Sequence, residues 1–121
     1  MTELVPVQLG RVYTDALVLA RAAAREHGYA LAVHGSQMRD LDLIAVPWVG
    51  EASEAEVLAE AIRAAVGGAF GTGDPSTRPH GRLTWSIHLS HPGSLADAMA
   101  AFKVPSHPYI DLSVTPLGAG A

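Results

Sequence analysis

The sequence contains no cysteine. That excludes disulfides, thiolate zinc sites and a cysteine nucleophile. It also fits a reducing compartment, so a cytoplasmic location is expected. Aromatic residues are scarce at 6% of the chain, and charged residues make up only 17%. No apolar run approaches the roughly 20 residues that cross a bilayer. The opening Met1-Thr2-Glu3-Leu4 lacks the basic region and apolar run of a signal peptide. No membrane association is expected. Basic residues are outnumbered as well, with eight Lys and Arg against twelve Asp and Glu and a net charge of −4. Extended nucleic-acid binding needs a net basic surface and is not expected, whereas a single nucleotide needs only one local basic patch.

Apolar residues, many of them alanine, fill 49% of the 121 positions. This is enough for one folded domain with one core and too little for a catalytic domain plus a separate substrate domain. The reading is a single domain over 1–121, with its core at about 12–116 and loose ends at 1–10 and 117–121.

Apolar residues recur at helical spacing from Val12 to Glu26 and stop at Gly28. Tyr29 to His34 reads as a buried strand and Asp40 to Trp48 as a second, with Pro47 closing it. Only Gly35 to Arg39 separates them. A parallel crossover needs a dozen or more residues, so these strands are antiparallel neighbours and the sheet is mixed. Ser53 and Glu56 form a capping-box pattern for a helix over about 54–66, ended by Gly67-Gly68. Residues 69–81, rich in Gly, Pro, Thr and Ser, read as a loop. Arg82 to Ser90 alternates as a third strand, Ser94 to Phe102 as a short helix and Tyr109 to Val114 as a last strand. The fold class is therefore α/β (α+β), a mixed sheet packed with two main helices.

Chemistry concentrates in three aspartates. Asp40 and Asp42 alternate on one strand, so both carboxylates share a face, with α-carbons roughly 7 Å apart. Asp111 lies in another apolar strand, Tyr109-Ile110-Asp111-Leu112-Ser113-Val114. Carboxylates in such settings are normally paired or metal-bound. If the strands are neighbours, three carboxylates converge, and a hard cation with oxygen ligands, magnesium or manganese, neutralises them. Gly35 and Ser36 follow a strand at a sharp turn. Glycine there lets a ligand approach the backbone, and the serine hydroxyl with nearby N–H groups suits a phosphate oxygen. Arg39, Arg78, His80 and Arg82 are further candidates for phosphate contacts.

Val33-His34-Gly35-Ser36 followed by Asp40-Leu41-Asp42-Leu43 resembles the Gly-Ser…Asp-x-Asp signature of the polymerase-β-like nucleotidyltransferase superfamily, with Asp111 in the place of its third acid. The longer phrase from His34 to Trp48, with Pro79-His80-Gly81-Arg82 and Tyr109 to Ser113, also resembles a group of small phage-encoded proteins. The resemblance covers about residues 12–116. It implies a minimal nucleotidyltransferase core, with Gly35 and Ser36 on phosphate, Asp40, Asp42 and Asp111 on metal as the catalytic set, a nucleoside triphosphate as ligand and a protein or nucleotide acceptor. Only Gln37, Met38 and Arg39 separate the Gly-Ser pair from the first acid, where most of the superfamily has a longer helical turn.

Other readings stay open at this point. The fold could bind or sequester a nucleotide without turning it over. His34-Gly35-Ser36 and His88-Leu89-Ser90 resemble the paired His-x-Ser units of two-histidine phosphoesterases, which use acid–base catalysis. Trp48 and Trp85 could stack a base, although core or interface placement suits them better. His80, His88, His91 and His107 offer zinc-binding residue types without a compact spacing.

Overall fold

A computed structural model describes residues 4–35, 40–71, 73–89 and 108–117. Helix α1 runs from Leu4 to Glu26. The loose arm expected over 1–10 is thus corrected, because residues 4–10 are already helical. Pro6 falls in the first turn, where backbone N–H groups have no intrahelical acceptor to lose. Gly10 costs about 1 kcal/mol relative to alanine, which the long alanine-rich remainder tolerates. Tyr13, Ala16, Ala20, Ala23 and Ala24 form the buried stripe. The small side chains let the helix lie close on the sheet. Gly28, at φ +84°, turns the chain into the first strand, and a Cβ there would meet the Ala52 Cα at 2.9 Å.

Strand β1 (Tyr29–His34) pairs antiparallel with β2 (Leu41–Pro47), as the short link requires. Helix α2 (Ala55–Val66) follows and closes on Gly67 in the left-handed conformation. Its N-cap is Glu54, without a side-chain cap bond, so the expected Ser53 capping box does not form. The Ser53 hydroxyl is taken instead by His27 Nδ1 at 2.8 Å, and the Ser53 carbonyl accepts from the Tyr29 hydroxyl at 2.7 Å. A tertiary tie between α1, β1 and the α2 entry has displaced a local one.

Within the stretch expected as plain loop, β3 (Ala69–Phe70) and β4 (Ser76–Thr77) clip onto β5 (Leu83–His88). The Asp74 carboxylate joins the two clips by accepting the backbone N–H groups of Gly71 and Ser86, each at 2.9 Å. A 3-10 turn, Pro79–Gly81, leads into β5. Strand β6 (Tyr109–Val114) matches its expected bounds. The proposed helix over 94–102 and the tail 118–121 lie outside the described residues.

The sheet order is β1-β2-β6-β5-β3, with β4 also on β5. Strands β2 and β6 are parallel and the other pairs antiparallel. The fold is therefore α+β with a six-stranded mixed sheet, and no helix among the described residues is long and apolar enough to cross a membrane. Leu41, Leu43, Ala45, Trp85, Ile87, Ile110, Leu112 and Val114 form one packed face, joined by Leu58, Ala59 and Ile62 of α2 and by the α1 stripe. Because side chains alternate across a strand, the opposite face carries Asp42, Ser86, Asp111 and Ser113.

Candidate metal centre

The strand register brings the acids together. His34 on β1 is the partner of Asp42 on β2, Asp42 is the partner of Asp111 on β6, and Asp111 is the partner of Ser86 on β5. Directly paired residues point to the same side, so these four side chains form one row across four strands. Asp40 stands two residues before Asp42 and shares its face. One carboxylate oxygen from each of Asp40, Asp42 and Asp111 lies within 4.8 Å of the others. All three residues are partly exposed, so the cluster can be reached from solvent. Gly35 helps to set it. Its φ is +82°, and a Cβ there would lie 2.6 Å from Asp42 Oδ2, so the turn packs directly against that carboxylate.

The electrostatics match an uncompensated acid cluster. Burial raises the Asp40 carboxyl above its usual value, and the adjacent Asp42 carboxylate raises it further. Burial also raises Asp111, with the charge of Asp40 adding to it and Arg78 and His34 opposing it. Tyr109, two residues before Asp111 on the same face, hydrogen-bonds Asp40 through its hydroxyl. Burial raises its pKa, as do the charges of Asp40, Asp111 and Asp42. Tyr13 of α1 is pushed up to about 12, chiefly by burial. Three oxygen donors at this spacing, with the bare anions of Asp40 and Asp111 disfavoured, fit a hard divalent cation, and among the described residues they are the group able to hold one.

A cleft of about 350 Å³ adjoins Asp111, lined by His34, Arg78, Pro79, Arg82, Thr84, Asp111 and Ser113. Arg82 and Arg78, both expected at the site, therefore reach it. His80 does not line this cleft. It sits exposed in the 3-10 turn at φ 67°. Ser36 and Arg39 lie outside the described residues. Trp85 is 4% exposed and belongs to the core, whereas Trp48 is 76% exposed. It follows β2 at the end away from Asp40, six residues beyond Asp42 or about 20 Å, so neither indole stacks a base here. His34 and His88 stand on strands separated by β2 and β6, with the carboxylates between them, and His88 instead packs against the Tyr109 ring at 5.8 Å. His91 and His107 lie outside the described residues.

Sequence reasoning passed over Tyr109, Asp74 and Thr84. The Tyr109-x-Asp111 spacing repeats Asp40-x-Asp42 and marked Tyr109 as sharing the face. Asp74 and Thr84 carried no comparable signal.

No protein-family model and no curated protein matches this chain.

The raised carboxyls give a signed expectation. A folded-state pKa above the unfolded value means that the native state holds protons more tightly, so stability rises as pH falls through the raised pKa towards 3.8. With a chelator present, denaturant midpoints should therefore increase on mild acidification from neutrality. Asp42→Asn should flatten that dependence. Midpoints that fall steadily from neutrality in both proteins would show that the cluster is not strained.

Proposed function

We propose that this chain is a nucleotidyltransferase-like protein that binds a nucleotide phosphate through a divalent cation held by Asp40, Asp42 and Asp111. The observation that carries the reading is the parallel pairing of β2 with β6, which sets Asp42 beside Asp111 with Asp40 on the same face. The resemblance of His34-Gly35-Ser36…Asp40-Leu41-Asp42 to the superfamily signature supports it, as does the position of Gly35 against Asp42.

When bound, magnesium or manganese would neutralise phosphate charge and polarise the reacting phosphorus. The protein groups position the partners. Gly35 and Ser36 are assigned to the donor phosphate, and Arg82 and Arg78 to anionic oxygens. His80 and Arg39 keep their sequence-based assignment as phosphate contacts. In nucleotidyl transfer an acceptor oxygen bonds to the α-phosphorus, the bond from that phosphorus to the pyrophosphate oxygen breaks, and pyrophosphate leaves. Asp111, which lines the cleft, is assigned to take the acceptor proton. The short link from Gly35 to Asp40 supports a second reading, in which the nucleotide is bound or sequestered without turnover. A phage counter-defence role would fit that form.

Magnesium or manganese should raise the melting temperature of the wild type, because a ligand bound only by the folded state stabilises it. Asp42→Asn should lose that shift and melt higher than wild type in chelator, since the repulsion is relieved. Equal shifts in both proteins would overturn the metal site.

A further inference from the structure

Thr84, which lines the cleft beside Asp111, carries a polar atom that the fold leaves unmatched. Thr84 is 6% exposed, and its Oγ1 is buried without a hydrogen-bond partner. Buried hydroxyls normally find one, and each exception needs a reason. Thr84 pairs with Ser113 across β5 and β6, so both stand on the sheet face that carries Asp111. Arg82 lies two residues before Thr84 and donates from Nη1 to Ser113 Oγ at 3.3 Å, which holds its guanidinium over the same spot. The Arg78 backbone N–H donates to the Arg82 carbonyl at 2.7 Å, which holds the main chain of this second lining arginine beside the first. Neither side chain has a carboxylate partner within salt-bridge distance among the described residues. Among the described residues the lining thus offers two guanidiniums, an imidazole and two hydroxyls, with Asp111 as its one acid and no Trp, Tyr or Phe to stack a base. Arginine forks over hydroxyls recognise tetrahedral oxyanions.

We propose that this cleft is an oxyanion subsite in which Arg78, Arg82 and the Thr84 hydroxyl hold a phosphate group of the ligand beside the three aspartates. It deepens the nucleotide reading and rests on that reading for the nature of the ligand. The row His34–Asp42–Asp111–Ser86 lies between the Ser113–Thr84 floor and the end of the sheet where Asp40 stands. A phosphate in the cleft therefore belongs either to the polyphosphate tail of the nucleotide or to a phosphorylated acceptor.

The test titrates inorganic pyrophosphate into the full chain in chelator, read by thermal shift and by phosphorus-31 line width. Wild type should bind. Arg82→Gln should weaken binding at least tenfold. Thr84→Val, which keeps shape and removes the hydroxyl, should weaken it about fivefold while raising the ligand-free melting temperature. Asp42→Asn should bind pyrophosphate more tightly, because a nearby negative charge is gone. Manganese binding, followed by paramagnetic resonance, should be retained in Arg82→Gln and lost in Asp42→Asn. Pyrophosphate binding without manganese binding would sink the metal reading and leave the subsite standing. Equal pyrophosphate affinity in wild type and Arg82→Gln, or a lower ligand-free melting temperature for Thr84→Val, would overturn the subsite. Displacement of pyrophosphate by a nucleoside triphosphate assigns the cleft to the donor tail, and simultaneous binding of both assigns it to the acceptor.

Discussion

Asp42→Ala is expected to abolish pyrophosphate release when the protein is incubated with a nucleoside triphosphate, magnesium and a competent acceptor, while the fold stays intact. Outer-sphere partners of a metal already cost about 10–100-fold when removed. Asp42 is proposed as a direct ligand and is also the carboxylate beside Asp40, so its loss should exceed that range. Asp40→Ala should behave alike, since most of the rate in such a reaction comes from positioning and charge neutralisation. Normal circular dichroism with no pyrophosphate above background would meet the expectation. The competing form of the proposal predicts something else in the same assay. If the chain only sequesters nucleotide, the triphosphate is recovered intact from wild type, and affinity depends more on Arg78, Arg82 and Ser36 than on the aspartates. Undiminished pyrophosphate release by Asp42→Ala would defeat the assignment outright.

The second large effect is on stability. Leu112 is fully buried at the centre of β6, with Leu43 and Trp85 as its cross-strand partners and the helices above. Leu112→Ala removes its side chain from a site ringed by main-chain ladders that cannot collapse inward, so a loss of about 3–5 kcal/mol is expected. Against a typical total of about 5–15 kcal/mol, that brings a small domain close to unfolding at physiological temperature. Urea denaturation monitored by Trp85 fluorescence measures it directly. A loss below about 1 kcal/mol would mean that the β2–β6–β5 core is packed more loosely than the structure has it.

Much of this arrangement could be read from the residues. The alternation in Leu83 to His88 and the apolar frame around Asp111 located the two strands, and the five-residue interval after His34 forced an antiparallel β1–β2 pair. Asp40-x-Asp42 named two members of the acid cluster, and Asp111 named the third. What escaped reading was decided by contacts distant in sequence or by tolerance of poor local signals. Residues 1–10 read as a loose end, yet Pro6 sits in the first turn of α1 and Gly10 is carried by its helical neighbours. Ser53 had the right spacing for a cap and bonded to His27 instead. The clips β3 and β4 are two residues each, too short for any period, and depend on the Asp74 side chain reaching Ser86 twelve residues on. Thr84 falls among the polar members of an alternating strand, yet it is buried.

The place of β6 in the sheet bears on how the molecule is made. It is the last of the described strands in sequence and sits in the middle of the sheet, between β2 and β5. Asp42 and its partner Asp111 lie more than half the chain length apart. A nascent chain that ends before Tyr109 has two half-sheets with no strand between them and two of its three acids, so neither the hydrophobic interior nor the carboxylate triad exists yet. Synthesis must run through Val114 before collapse can become cooperative. Long-range parallel pairing of this kind slows the folding transition relative to local hairpins. Until then, the edges of β2 and β5 stay open to other chains, and truncated or stalled translation products would be prone to aggregate.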